Sequence, residues 1–234
     1  SQKKKEETVI VLPLETALSQ ARENCVELEK VLHRYQSNPS DSLKYRAARF
    51  LIENMPSYTY YKGKLLEQYL TFFTLLQEAR SKKIYPQAMI DSIRRMYGPF
   101  SLDSLQYYED ITTVDSAYLC SNIDWAIKVW QEQPWGKNVS FADFCEYILP
   151  YRIGDETLSY WREDIYRKYN SLLDSLRAST VLDIEDPLVA ARCLCDSLRK
   201  RSRFFTTTVP QGLPHVGPEI AQSVSGSCRE LSDY

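Results

Sequence analysis

From Leu14 to Leu32, apolar residues recur as Leu14, Ala17, Leu18, Ala21, Cys25, Leu28, Val31 and Leu32, the three-and-four spacing that predicts one amphipathic helix. Ser40 or Asp41 is placed to cap a second helix carrying Leu43, Ala47, Phe50 and Leu51. That helix should end near Asn54, because Pro56 disfavours helical geometry just before it. Met55 to Gly63 then reads as a loop holding Tyr58, Tyr60 and Tyr61. A third helix is expected from about Lys64 to Lys82 and a fourth from Pro86 to Tyr97, the latter opened by proline and stopped by Gly98-Pro99. Phe100 to Val114 carries no clear period; a short helix around Ser104 to Tyr108 followed by a connector is the reading adopted.

Asp115 or Ser116 starts a helix reaching about Gln133, with Trp125, Ile127, Val129 and Trp130 among its apolar positions. Ser140 with Asp143 three residues later forms a capping box ahead of Phe144, Tyr147, Ile148 and Leu149, and Pro150 closes that element. A long helix is expected from about Glu156 to Arg177, with Asp155 and Glu156 at its positive end. Asp186-Pro187 opens another, which ends in the run Arg199 to Arg203; those charges either complement the helix dipole or form a polyanion patch. Beyond it, Phe204 to Val209 has the composition of a short strand, and Pro210, Gly212, Pro214, Gly217 and Pro218 make an extended loop. The chain divides accordingly into a polar leader over 1–13, a helical domain over 14–203 and a segment of different architecture over 204–234.

Composition sharpens the fold class. Only 7 of 234 residues are glycine, which leaves few positions suited to positive φ and argues against hairpin-rich sheets and glycine-loop nucleotide folds. The expected class is mostly α. A net charge of −2 lacks the basic excess that phosphate neutralisation demands, so nucleic acid is excluded as an expected partner. No apolar run is long enough to span a bilayer. The 6 cysteines are too sparse and irregular for a disulfide framework. With only His33 and His215 for imidazole ligands, and with Cys193 and Cys195 on different sides of a helix, no metal site and no cofactor are expected.

Candidate chemistry gathers at the end, in Gly226-Ser227-Cys228-Arg229-Glu230-Leu231-Ser232-Asp233-Tyr234. Gly226 permits close backbone approach, Ser227 is a good cap, and Arg229 to Tyr234 can begin a helix whose positive end favours the Cys228 thiolate, the nucleophile of acyl transfer. The bland alternative is a small buried apolar thiol.

The segments Phe50 to Pro56, Ser140 to Arg152, Trp161-Arg162 and Gly226 to Glu230 together resemble the N-terminal region of bacterial transglutaminase-like, papain-fold proteins. In those proteins a helical domain precedes a cysteine-based acyl-transfer or peptidase domain. The resemblance implies that Cys228 corresponds to the nucleophile, that the segment from 204 begins an incomplete transglutaminase-like domain, and that the protein is exported, to the periplasm or the cell surface. Members of that family place a histidine and then an aspartate after the cysteine. Here six residues follow Cys228 and both histidines precede it, so neither takes the base role and this chain is expected to be inactive. The catalytic remainder of the same protein is then its natural partner.

Aromatic residues supply the other candidate. With 17 tyrosines and 4 tryptophans, clusters such as Tyr107 and Tyr108, Tyr147 and Tyr151, and Tyr160, Trp161, Tyr166 and Tyr169 either pack a core or line a groove for a peptide or glycan. Tyr58, Tyr60 and Tyr61 are the expected substrate-binding residues, since a proline-led loop should expose them. Two function classes compete: a module positioning substrate for an acyl-transfer domain, and a stand-alone helical module that binds glycan or protein. A purely structural scaffold would have no exposed aromatic groove.

Overall fold

In a computed structural model of the chain, the structure describes residues 13–68, 71, 75, 86–99, 101–152, 154–179 and 181–201. Among these the chain is mostly helical, with one two-stranded ribbon. Helices α1 (Leu14–Gln20), α2 (Cys25–Gln36) and α3 (Ser42–Asn54) come first. Strand β1 (Thr59–Gly63), helix α4 (Pro86–Tyr97) and strand β2 (Leu105–Glu109) follow. Then come α5 (Ser116–Glu132), the single turn α6 (Phe141–Asp143) running into a π-helical turn Phe144–Ile148, α7 (Trp161–Ser179) and α8 (Pro187–Arg201).

The apolar stripes do what their spacing predicts. Leu28, Val31 and Leu32 of α2, Ala47, Leu51 and Ile52 of α3, and Leu119, Ile123 and Ala126 of α5 meet in one buried cluster that also takes in Phe144 and Leu149. The stripe from Leu14 to Leu32 is nevertheless two helices, not one. A 3₁₀ turn at Arg22–Asn24 interrupts it, with Arg22 at φ 54°, a left-handed backbone that costs an L-residue roughly 1–2 kcal/mol. The turn carries Asn24 to where its side-chain amide donates to the carbonyls of Ile111 and Val114, both at 3.0 Å. Two carbonyls ahead of α5 are thereby satisfied in part-buried hydrogen bonds, which offsets the strain.

Other boundaries follow local chemistry. Asp115 caps α5 by accepting from the Tyr118 amide at 2.7 Å, and Ser140 accepts from the Asp143 amide at 3.1 Å. Asp186 accepts from Leu188 N at 2.8 Å beside Pro187 at the first position of α8. Before α3 the capping side chain is Asn38, which accepts from Ser40 N, rather than Ser40 or Asp41.

Two expectations are overturned together. The loop over Met55 to Gly63 is a 3₁₀ turn (Met55–Ser57) followed by β1, and the short helix around Ser104 to Tyr108 is β2. The strands pair antiparallel, Tyr60 with Tyr108 and Tyr61 with Tyr107. Neither strand is stable alone, and the partner lies far along the sequence, so no local pattern announces it. Gly63 closes the ladder at φ 143°, where a Cβ would meet the Ser104 carbonyl oxygen at 2.0 Å. The long helix begins at Trp161 rather than Glu156. Residues 64–68 are helical, as expected for the start of the third helix. Its remainder, and the strand expected at Phe204 to Val209, lie largely or wholly outside the described residues.

Candidate functional site

The chain between α5 and α7 is held by polar side chains as well as by the apolar ones, Phe144 and Leu149, that it gives to the core. In the π turn the Leu149 amide donates to the Phe144 carbonyl at 2.8 Å, so one extra residue is accommodated before Pro150 ends the element. That register buries Phe144 and Cys145 and leaves Glu146 and Tyr147 exposed. The carbonyls left without helical partners are collected by Arg162. Its Nη2 donates to Ile148 O, to Leu149 O at 3.2 Å and to Pro150 O at 2.7 Å, while Nε donates to Asn122 Oδ1 at 2.5 Å. Asn122, nearly buried on α5, donates in turn to Leu149 O at 2.9 Å.

Immediately after, Tyr151 and Arg152 turn inward to a buried carboxylate. Asp110 accepts from the Tyr151 hydroxyl at 2.7 Å and pairs with the Arg152 guanidinium, the two side chains being 0% and 1% exposed. Burial pushes Asp110 above the usual aspartate range, opposed by the Arg152 charge and the Tyr151 hydroxyl. Burial also holds the Tyr151 hydroxyl well above the usual tyrosine value. Arg152 donates through Nη1 to the Glu156 carbonyl at 3.1 Å, and Glu156 Oε2 accepts from Gly154 N at 2.9 Å. The pair Asp155-Glu156, expected at a helix start, therefore belongs to a loop, with Glu156 buried in it.

These contacts hold open a groove of about 540 Å³, within the range of small-ligand sites. Its rings are Tyr58, Trp135, Tyr147, Trp161, Tyr166 and Tyr169, and its aliphatic wall comes from Val129, Ile148, Ile165, Leu173 and Leu194. Tyr147 is 79% exposed at the lip. Of the three tyrosines expected to bind substrate, only Tyr58 lines this groove. Tyr60 is 2% exposed, with its ring 5.6 Å from that of Tyr108 and 5.4 Å from the Arg152 guanidinium carbon. Tyr61 points to the other face of the ribbon, 5.8 Å from Tyr107. The exposed-loop expectation thus fails for Tyr60 because strand alternation turns it inward.

Sequence reasoning grouped Tyr147, Trp161, Tyr166 and Tyr169 among aromatics able to line a groove but did not find Trp135, Glu146 or Arg152. The signal for Trp135 was its place between Pro134 and Gly136: a 3₁₀ turn that brings Gly136 so near the Trp130 carbonyl that a Cβ would lie 1.7 Å from its oxygen. Cys228 and His215 lie outside the described residues, and His33 is exposed on α2. Burial raises the Cys120 thiol and pushes Cys145 up to about 11, which disfavours the thiolate at both. Among the described residues no group of three His, Cys, Asp or Glu side chains is placed to hold a metal, and no helix is long and apolar enough to cross a membrane.

No protein-family model, curated protein or solved structure matches the chain. The fold and site define a class in physical terms alone: a mostly helical protein with an aromatic groove braced by one buried and one half-buried arginine.

Proposed function

We propose that this chain is a non-catalytic helical binding module whose ligand lies in the groove between the π turn and α7. The observation that carries the reading is the ring lining. Tyr58, Tyr147 and Trp161 present half-buried or exposed faces in a concave site, and aromatic faces left in contact with water are a standing invitation to a partner with an apolar surface. A pure scaffold gains nothing by keeping them open. The test is tryptophan fluorescence of the full chain titrated with peptide and oligosaccharide libraries, since Trp135 and Trp161 report on the site. A ligand that shifts the emission, and whose affinity falls at least tenfold in Tyr147→Ala, supports the reading. Binding unaffected by Tyr147→Ala and by Trp161→Ala overturns it.

A second reading is favoured by the convergence of the segments that resemble the transglutaminase-like family. Asn54 and Phe50 border a small cleft with Tyr58, Pro150, Tyr151 and Arg152, and Trp161 donates from Nε1 to the Tyr151 carbonyl at 2.9 Å. In this reading the groove presents substrate to an exported cysteine acyl-transfer or peptidase domain whose nucleophile is Cys228. The coding sequence beyond Tyr234 then contains a histidine followed by an aspartate in a strand-rich pattern; its absence removes the acyl-transfer reading and leaves the binding module.

A further inference from the structure

The polar groups of the groove fall into two sets. Arg152 is taken by Asp110 and the Glu156 carbonyl, and Arg162 by the carbonyls of the π turn. Gln133 donates to Asn170 at 3.0 Å and accepts from Arg177 at 2.8 Å, and the Tyr166 hydroxyl donates to Glu132 at 2.7 Å. Both cations in the lining are thus spent on the protein's own acceptors. Glu146 is different: it is exposed on the π turn, lines the groove beside Tyr147, and enters no ion pair or hydrogen bond among the described residues. It lies near enough to Tyr58 to push that hydroxyl upward, second to burial itself. A carboxylate that lines a groove together with tyrosine rings is the arrangement that recognises an organic cation, the rings offering their negative faces and the carboxylate the counter-charge.

Length decides what carries the cation. The lining residues Trp161, Ile165, Tyr169 and Leu173 follow one face of α7, and at 1.5 Å per residue they extend about 18 Å. One basic side chain fills only part of such a groove. An extended peptide at roughly 3.3 Å per residue covers it with about five residues.

Resting on the binding-module reading above, we infer that the groove takes an extended peptide bearing a lysine or arginine whose charged group sits at Glu146, with Tyr58 and Tyr147, with apolar residues following along Ile165 and Leu173. Calorimetry on the full chain tests this with a capped leucine-lysine-leucine-leucine-leucine peptide, its norleucine twin lacking the charge, n-butylammonium and maltohexaose. The lysine peptide should bind roughly tenfold tighter than its twin, and Glu146→Gln, a change at an exposed side chain with no partner among the described residues, should erase that preference. Equal affinity of the two peptides overturns the cation site but leaves the groove a binding site. n-Butylammonium binding as tightly as the lysine peptide overturns the peptide assignment, and so does maltohexaose binding while neither peptide does. Silence from all four probes, together with failure of the library titration above, overturns both readings.

Discussion

The two ends of the molecule solve the same packing problem differently. Where α1, α2, α3 and α5 meet, apolar side chains fill the space, with Leu28, Val31, Ile52 and Ile123 fully buried. Around α7 and α8 the buried apolar cluster is Leu173, Ile184 and Ala190, with Trp135, Leu176 and Leu194 only partly covered. Between them runs a polar seam, Asp110, Tyr151 and Arg152 on one side and Asn122 and Arg162 on the other. The lesson is that a concave surface needs posts. Apolar side chains collapse a gap to close packing, whereas hydrogen-bonded arginines fix two backbones at a set distance and leave the space between them open.

The sharpest way to break the contrast is to remove one post. Asp110→Ala leaves the Arg152 guanidinium buried without a counter-charge and should destabilise the fold by about 3–5 kcal/mol, read as a shift in the urea midpoint at unchanged slope. A loss below about 1 kcal/mol would show that the seam is not a support. Next, Ile123→Ala in the filled core should cost about 2–5 kcal/mol globally, while Leu173→Ala beside the groove should fall at the low end, near 2 kcal/mol, because its surroundings can relax into open space. Equal costs would dissolve the distinction between the two ends.

A smaller effect is expected at the break between α1 and α2. Asn24→Ala strips the donors from the Ile111 and Val114 carbonyls and should cost about 1–3 kcal/mol, whereas Arg22→Gly, which relieves the positive φ, should be near neutral or stabilising. Thermal denaturation of both variants checks the pair.

The smallest expected effect depends on pH. The Lys30 side chain, with the Ser116 hydroxyl and amide, holds Glu27 from the ordinary 4.5 down to about 2. Its folded value lies below its unfolded one, so its contribution is present above about pH 4.5 and is lost as the pH falls toward 2. Asp110 has the opposite sign: its folded value is raised, so its contribution is fullest at low pH and declines as the pH rises through that value. Acid should therefore loosen the start of α5 before the seam. Hydrogen-exchange protection at the Ser116 amide, which donates to Glu27 Oε2 at 3.0 Å, measured relative to the intrinsic rate at each pH, should fall below about pH 4 in the native chain and lose that dependence in Glu27→Gln.

The sequence by itself determined several of the helices and the caps whose partners are local. Helix α4 over Pro86–Tyr97, the Asp115 cap of α5, the Ser140–Asp143 pair and the Asp186-Pro187 start all depend on residues within four positions of one another, and local hydrogen bonds leave local patterns. The aromatic richness of the groove was also legible, as clusters in the chain. The rest needed partners distant in sequence: β1 with β2, Asn24 with Ile111 and Val114, Arg152 with Asp110, Arg162 with Asn122. Only the tertiary structure decided that Tyr60 faces in while Tyr58 lines the groove, and that Glu156 serves a loop instead of a helix. Spacing encodes which residues share a face; it does not encode what that face will meet, because the burial that fixes it is contributed by the other side of the contact.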